Sequence, residues 1–368
     1  MLQVYTRVVT VVVVLLLTHV TMFSQITTPR GSQQATVSQT VGVSTIDISY
    51  ARPSVNGREI WGKLVPYGLN NLGFGTSKAA PWRAGANENT VITFSHDMKI
   101  GGKLIKAGVY GLHFEVKENN TATLLLSTNS TSWGSFFYDP SEDALRVDIQ
   151  TTTIPHTEQL TFVFEDVTPN SVKAVLKWEK KGFPIDIEVP VSDIVMSEIR
   201  KGMRDQPGFN RQTYEQAAAY SLNNGGDLKE ALGWIDNAIA GQFYSQKTFA
   251  NLQIKSAILT KMGRQAEAEK LLDDNMDIGS VLEIHQYGRQ LIAAKKADKA
   301  LTVFASNAKK YKDQWPTHYG MARAYSAKGD FKKALKHLEI AHTNAPNPAS
   351  KGRVAANIEK LKKGEDIN

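Results

Sequence analysis

Two arginines, Arg52 and Arg58, stand just ahead of a stretch crowded with glycine and asparagine, Gly68 to Asn89, and that stretch contains Trp82, Arg83, Asn87 and Glu88. A guanidinium presents a rigid fork of N–H donors that fits carboxylate, sulfate or phosphate oxygens, and an indole beside it adds a flat apolar face. These six residues can therefore hold a small glycan or an anionic ligand. The same residue types also build a structural knot, in which Glu88 pairs with an arginine and Trp82 plugs one end of the fold. A third use is hydrolysis, with Glu88 or Asp97 as general acid or base. That chemistry requires a second acid or a histidine facing the carboxylate across a deep pocket.

Several other chemistries are excluded. The chain has no cysteine, which rules out disulfides, thiolate metal sites, a cysteine nucleophile and the lipid-bearing cysteine of a lipoprotein. No nucleophile elbow, metalloprotease helix, phosphate loop or dinucleotide fingerprint occurs, so no catalytic residue, metal or cofactor is assigned. His113 falls out of phase with Tyr110, Leu112 and Phe114. It is expected to point away from their apolar face, at a strand surface or in a hydrogen bond.

The elements that must position the cluster are strands. From Gln33 to Val191 short runs of Val, Ile, Thr, Phe and Tyr are divided by Gly, Asn, Pro and Asp, a spacing that predicts about ten strands in an all-β sandwich or barrel. Ile46, Ile48 and Tyr50 alternate with polar residues, as do Val172, Ala174, Leu176 and Trp178, and then Ile185, Ile187 and Val189. Gly101-Gly102, Ala107-Gly108 and Asn119-Asn120 supply turn chemistry. The stretch from Gly68 to Asn89 reads as a long ordered loop, the kind of connection that often carries function.

The run from Tyr50 to Gly62, then Leu64-Val65-Pro66-Tyr67-Gly68, then Trp82-Arg83-Ala84-Gly85-Ala86-Asn87-Glu88 resembles the exported family known as domain of unknown function 2911. The later elements Ala107-Gly108-Val109-Tyr110, Trp133-Gly134 and Tyr138-Asp139 are similar to that family as well. The resemblance covers roughly residues 33–191 and implies an exported protein of Bacteroidetes type. It implies no catalytic residues.

After Pro190 the vocabulary turns to Ala, Leu, Lys and Glu with apolar residues three and four apart, which predicts amphipathic helices. Residues 192–208 are expected to form a linking helix, with Ser192 as its cap and Gln206-Pro207-Gly208 as its stop. Beyond it Ala231, Ala268, Ala300 and Ala334 recur at intervals of 37, 32 and 34 residues, each followed four residues later by Ile235, Leu272, Phe304 or Leu338. A period near 34 is that of a tetratricopeptide-like helix-turn-helix array. Gly226, Gly263 and Gly329 are expected at equivalent turns, with Lys295 in their place in the third unit. Stacked repeats form a groove for peptides or protein segments, and His318, Arg323 and Ser326 are its candidate residues in the last unit. Ala349 to Lys363 is expected to cap the array.

Charge divides unevenly. Residues 25–200 carry 16 Lys and Arg against 18 Asp and Glu, and residues 201–368 carry 26 against 18. The basic half favours an anionic partner, such as an acidic protein surface, a glycan or lipid headgroups, though lysines that merely solvate helices give the same count. At the start, Arg7 followed by the apolar run Val8 to Val20 and polar Ser24-Gln25 has the layout of a signal peptide cleaved after Ser24. The apolar run is shorter than the roughly 20 residues a membrane-spanning helix needs, and no later span is expected.

The expected organisation is thus a signal peptide (1–24), an all-β domain (25–191), a linking helix (192–208) and an all-α tetratricopeptide-like repeat domain (209–368). The expected function is a non-enzymatic periplasmic or secreted scaffold that binds a protein or peptide partner, with a glycan or anionic ligand on the β domain. Envelope hydrolysis is the alternative, and nucleic acid is not among the expected partners.

Overall fold

The computed structural model describes residues 29–312 and 314–368, and the expected signal segment and its cleavage site lie outside them. The chain separates between Val191 and Ser192 into two units. None of the described helices is long and apolar enough to cross a membrane.

The first unit contains ten strands among the described residues: β1 (Gln33–Val41), β2 (Ser44–Arg52), β3 (Thr90–Phe94), β4 (Met98–Ile100), β5 (Lys103–Ile105), β6 (Gly108–Val116), β7 (Thr121–Ser127), β8 (Asp143–Gln150), β9 (Thr152–Glu165) and β10 (Ser171–Glu188). They form two antiparallel sheets, neither closed into a barrel, in the orders β1-β2-β3-β6-β7-β8 and β5-β4-β10-β9. Rings meet from the two sheets, Tyr50 with Phe162 at 4.9 Å and Phe114 with Phe183 at 5.0 Å between centroids, so the core lies between them. The expected alternation holds in β2, where Ile46, Ile48 and Tyr50 are buried. Positive φ at Gly101 and Gly102 closes the β4–β5 hairpin, in which Ile100 pairs with Lys103.

Two details differ from the sequence reading. The runs ending at Trp178 and starting at Ile185 look like separate strands, because their inward residues have opposite parity. They are one strand, β10, with register shifts on either side of Glu179, whose φ is 53°. The residues left over at those shifts belong to β9, and Glu179 in its left-handed conformation breaks the alternation of β10, so that Trp178 before it and Phe183 and Ile185 after it are all buried. His113 does point away from the apolar face, yet it is only 2% exposed. The chain after β7 folds over that side of β6 and brings the Ser135 hydroxyl to 3.1 Å from His113 Nδ1.

The second unit opens one residue into α1 (Val191–Gly202) and continues in helical pairs: α2 (Arg211–Asn223) with α3 (Leu228–Ala240), α4 (Phe249–Lys261) with α5 (Gln265–Asp273), α6 (Val281–Ala293) with α7 (Ala297–Tyr311), and α8 (Trp315–Ala327) with α9 (Phe331–Asn344). A last helix, α10 (Pro348–Lys362), follows them. Starts are chemically defined: Asp227, Asp330 and Asn347 accept backbone N–H bonds at α3, α9 and α10, and Thr248 and Ser280 form capping boxes at α4 and α6. Ala231, Ala268, Ala300 and Ala334 are fully buried on the second helices, and Ile235, Leu272, Phe304 and Leu338 are buried with them.

The turn glycines need one correction. Gly263 and Gly329 take positive φ, and so does Lys295 at 60°, but in the first pair it is Gly225 and not Gly226 that does so, because this turn is one residue longer. Glu269 of α5 ties neighbouring pairs together. It accepts bonds from Lys296 and Lys299, and Lys299 also reaches Asp273 at 2.9 Å. These partners hold the Glu269 carboxyl down at about 2.

Candidate functional site

Four of the six clustered residues come together. Arg58, Trp82, Arg83 and Asn87 line a cavity of about 340 Å³ in the β unit, walled also by Pro53, Val65, Asn70, Pro81, Ser135 and Trp178. The loop is fastened by a two-way backbone bridge, Trp82 N to Phe114 O and Phe114 N to Trp82 O, both 2.8 Å. That bridge carries the Trp82 ring onto Trp178, with 16° between their planes and 5.9 Å between centroids. Trp82 thus packs on a core tryptophan and also lines the cavity.

Arg83 donates to the Asn87 carbonyl at 2.7 Å, and its guanidinium lies 5.0 Å from the centre of the Phe136 ring. Burial lowers its pKa. Backbone passes close by at Gly134, where a Cβ would fall 2.3 Å from Arg83 Nη1. Arg58 is fixed through the carbonyls of Val55 and Ser54.

Arg52 and Glu88 do not join this cavity. Arg52 donates to Leu160 O and Thr161 Oγ1, tying β2 to β9. Glu88 pairs with Arg30, outside the expected cluster, at 2.5 Å. Asp97 pairs with Lys106 on the surface. No carboxylate of the described residues lines the cavity, so an acid–base pair across it has no candidate there. The Ser135–His113 pair has nucleophile–base spacing, but both residues are buried and, among the described residues, no carboxylate bonds the other ring nitrogen. Burial, then Arg83, pushes the His113 pKa down to about 4, which keeps it neutral. Asn70, Ser135 and Trp178 were not marked by sequence reasoning. Ser135 follows Trp133-Gly134 directly, which was the available signal.

The helical unit has a second site. Leu282, His285 and Arg289 of α6, Trp315, Pro316, Tyr319 and Arg323 of α8, and Arg353 of α10 line a cavity of about 450 Å³. Its residues occur at the repeat interval: His285, Tyr319 and Arg353 are 34 apart, and so are Arg289 and Arg323. A cavity made of equivalent positions on successive first helices is the groove that stacking produces. Arg323 lies over Tyr319 at 4.8 Å, and Tyr319 Oη also receives a bond from Asn357 at 2.6 Å. Burial lowers the His285 pKa to about 4, and the nearby Arg323 and Arg289 add to that effect.

Of the three expected groove residues only Arg323 lines this cavity. His318 faces α9, with Nδ1 3.2 Å from His337 Nδ1. Ser326 is 2% exposed: it donates to Asp366 at 2.5 Å and accepts from the Ile367 N–H at 3.1 Å. Residues after α10 run back over α8 and cover it, and Arg323 donates to Ile367 O as well. A polar helix residue was read as exposed because the covering strand of chain lies far away in sequence.

Fold and sites define a two-unit protein, an open all-β domain followed by tetratricopeptide-like repeats. Residues 32–187, most of the β unit, match the family described as protein of unknown function (DUF2911). No curated protein matches the chain. Among solved structures it is similar to YrrB, a tetratricopeptide-repeat protein with an unusual peptide-binding site (16% identity, 45% of this chain and 84% of that one, TM-score 0.30). It is also similar to a repeat protein from Parabacteroides merdae (15%, 48% and 75%, TM-score 0.32) and to a thermophilic one from Thermus thermophilus (16%, 46% and 91%, TM-score 0.32).

Proposed function

We propose that this is an exported, non-enzymatic binding protein whose repeats capture an acidic segment of a protein partner. The observation that carries the reading is the groove cavity, where Arg289, Arg323 and Arg353 converge and none of them is paired with a carboxylate among the described residues. Aromatic walls at Trp315 and Tyr319 complete the combination of arginine and aromatic residues that dominates binding hot spots. Export rests on Arg7, the apolar run Val8 to Val20 and Ser24-Gln25, and places the mature N-terminus at Gln25 in the periplasm or outside the cell.

The test is fluorescence anisotropy of the full mature chain with labelled Asp/Glu-rich, neutral and Lys-rich peptides. The acidic peptide should bind, should lose at least about tenfold in affinity with Arg289→Ala plus Arg353→Ala, and should stay bound at moderate salt, where diffuse charge attraction is screened. Equal binding of all three peptides, or no effect of the double variant, would overturn the reading.

A further inference from the structure

We propose that the cavity of the β unit binds a small ring-bearing organic monoanion, a carboxylate or sulfate, with its charged group on Arg83 and Arg58 and its ring against the Pro53, Pro81 and Trp82 wall. This site lies in a different unit from the repeat groove and does not depend on it.

The charge argument comes first. Arg83 has five N–H donors, and its one hydrogen bond within the described residues goes to Asn87 O. Partial burial lowers its pKa, so it is held in a site that penalises its charge, and no ion pair among the described residues offsets that penalty. Arg58 uses Nε and one Nη on backbone carbonyls and likewise has no ion pair among the described residues. Two guanidinium groups therefore face one cavity whose lining includes no Asp or Glu. A planar carboxylate, or the three oxygens of a sulfate ester, meets such a fork with parallel charge-assisted bonds.

Shape supplies the second half. A cavity of about 340 Å³ is within the range of small-molecule sites and far too small for a polymer to lie in. The lining also includes the apolar Pro53, Val65, Pro81 and Trp82, while Asn70, Asn87 and Ser135 offer neutral hydrogen-bonding groups to a ring substituent. Gly134 leaves room for the Arg83 guanidinium, since a Cβ there would collide with Nη1, Cζ and Nε at 2.3, 2.4 and 2.7 Å. The backbone at Gly134 is shaped around an arginine head that carries no carboxylate partner among the described residues, and Arg83 lines the cavity.

Calorimetric titration of the full mature chain tests the proposal with benzoate, glucuronate and phenyl sulfate as probes, and with benzyl alcohol, glucose and inorganic sulfate as their neutral or ringless counterparts. At least one ring anion should bind saturably and at least tenfold more tightly than its counterpart. Arg83→Gln should weaken it at least tenfold, and Arg83→Lys should keep part of the affinity. Gly134→Ala, which displaces the guanidinium without removing it, should weaken binding too, with the far-ultraviolet circular dichroism unchanged, and it serves if Arg83→Gln fails to fold. Absence of binding by all three ring anions, equal binding of the counterparts, or binding indifferent to Arg83→Gln and Gly134→Ala would overturn the proposal. Benzoate against glucuronate then separates an aromatic ligand from an acidic sugar.

Discussion

The rings of His285 and Tyr319, 34 residues apart on successive first helices, lie parallel within 3° with centroids 5.9 Å apart. Tyr319 in turn supports Arg323 through ring and hydroxyl, with Nη2 3.3 Å from Tyr319 Oη. The stack therefore sets where one groove arginine points. Tyr319→Phe keeps the ring and should cost about 1 kcal/mol of stability with little loss of acidic-peptide binding. Tyr319→Ala should weaken that binding more than tenfold. Comparable peptide affinities for the two variants would show that the stack does not position Arg323.

Buried histidines give each unit an acid sensitivity. Unfolded imidazoles gain protons near 6.5, whereas His113 and His285 gain them only at about 4. Between those values the unfolded chain binds more protons, so stability is fully present above about pH 6.5 and falls toward pH 4. Each shift corresponds to on the order of 3 kcal/mol. Denaturant unfolding at pH 7 and pH 4.5 should show the loss, and His113→Gln or His285→Gln should flatten the slope of its own unit.

Lys295 holds a left-handed turn where Gly263 and Gly329 serve in other repeats. A side chain in that conformation is strained and a glycine is not. Lys295→Gly should stabilise the helical unit by roughly 0.5 to 1 kcal/mol in urea unfolding, despite the usual cost of glycine. Destabilisation would mean that the lysine side chain makes up the difference.

Phe304 of α7 fills space left by two glycines. A Cβ at Gly288 or Gly320 would lie 2.4 or 2.3 Å from its ring. Gly320→Val should therefore destabilise the array, and Phe304→Ala should cost about 3 to 5 kcal/mol. In the pair Gly320→Ala with Phe304→Leu, the smaller side chain should recover part of the first loss, a coupling that a double-mutant cycle reads directly.

The repeat array was legible because its packing demands a small residue at one place and a larger apolar one four residues on. Ala300 with Phe304 and Ala334 with Leu338 write that demand into the sequence. The strands were legible for a similar reason, since inward and outward positions alternate. What could not be read was long-range. Arg52 and Glu88 stand beside Arg58 and Arg83 in the chain but bond to β9 and to Arg30. Ser326 looked exposed until Asp366 and Ile367 closed over it. The groove arginines Arg289 and Arg353 carried a signal, their 34-residue phase with the rest of the cavity, which becomes decisive only when the first helices are seen side by side.

Glu269, with its lysines Lys296 and Lys299, has a consequence for how the array comes apart. In a solenoid each unit is steadied mainly by its neighbours, so the melting order follows the strength of the joints. This ionic clasp adds a joint between α5 and α7, in the middle of the stack. The central pairs should behave as one cooperative block, with fraying confined to the outer helices. Amide hydrogen exchange should accordingly be slowest across α4 to α7, and Glu269→Gln should split that block.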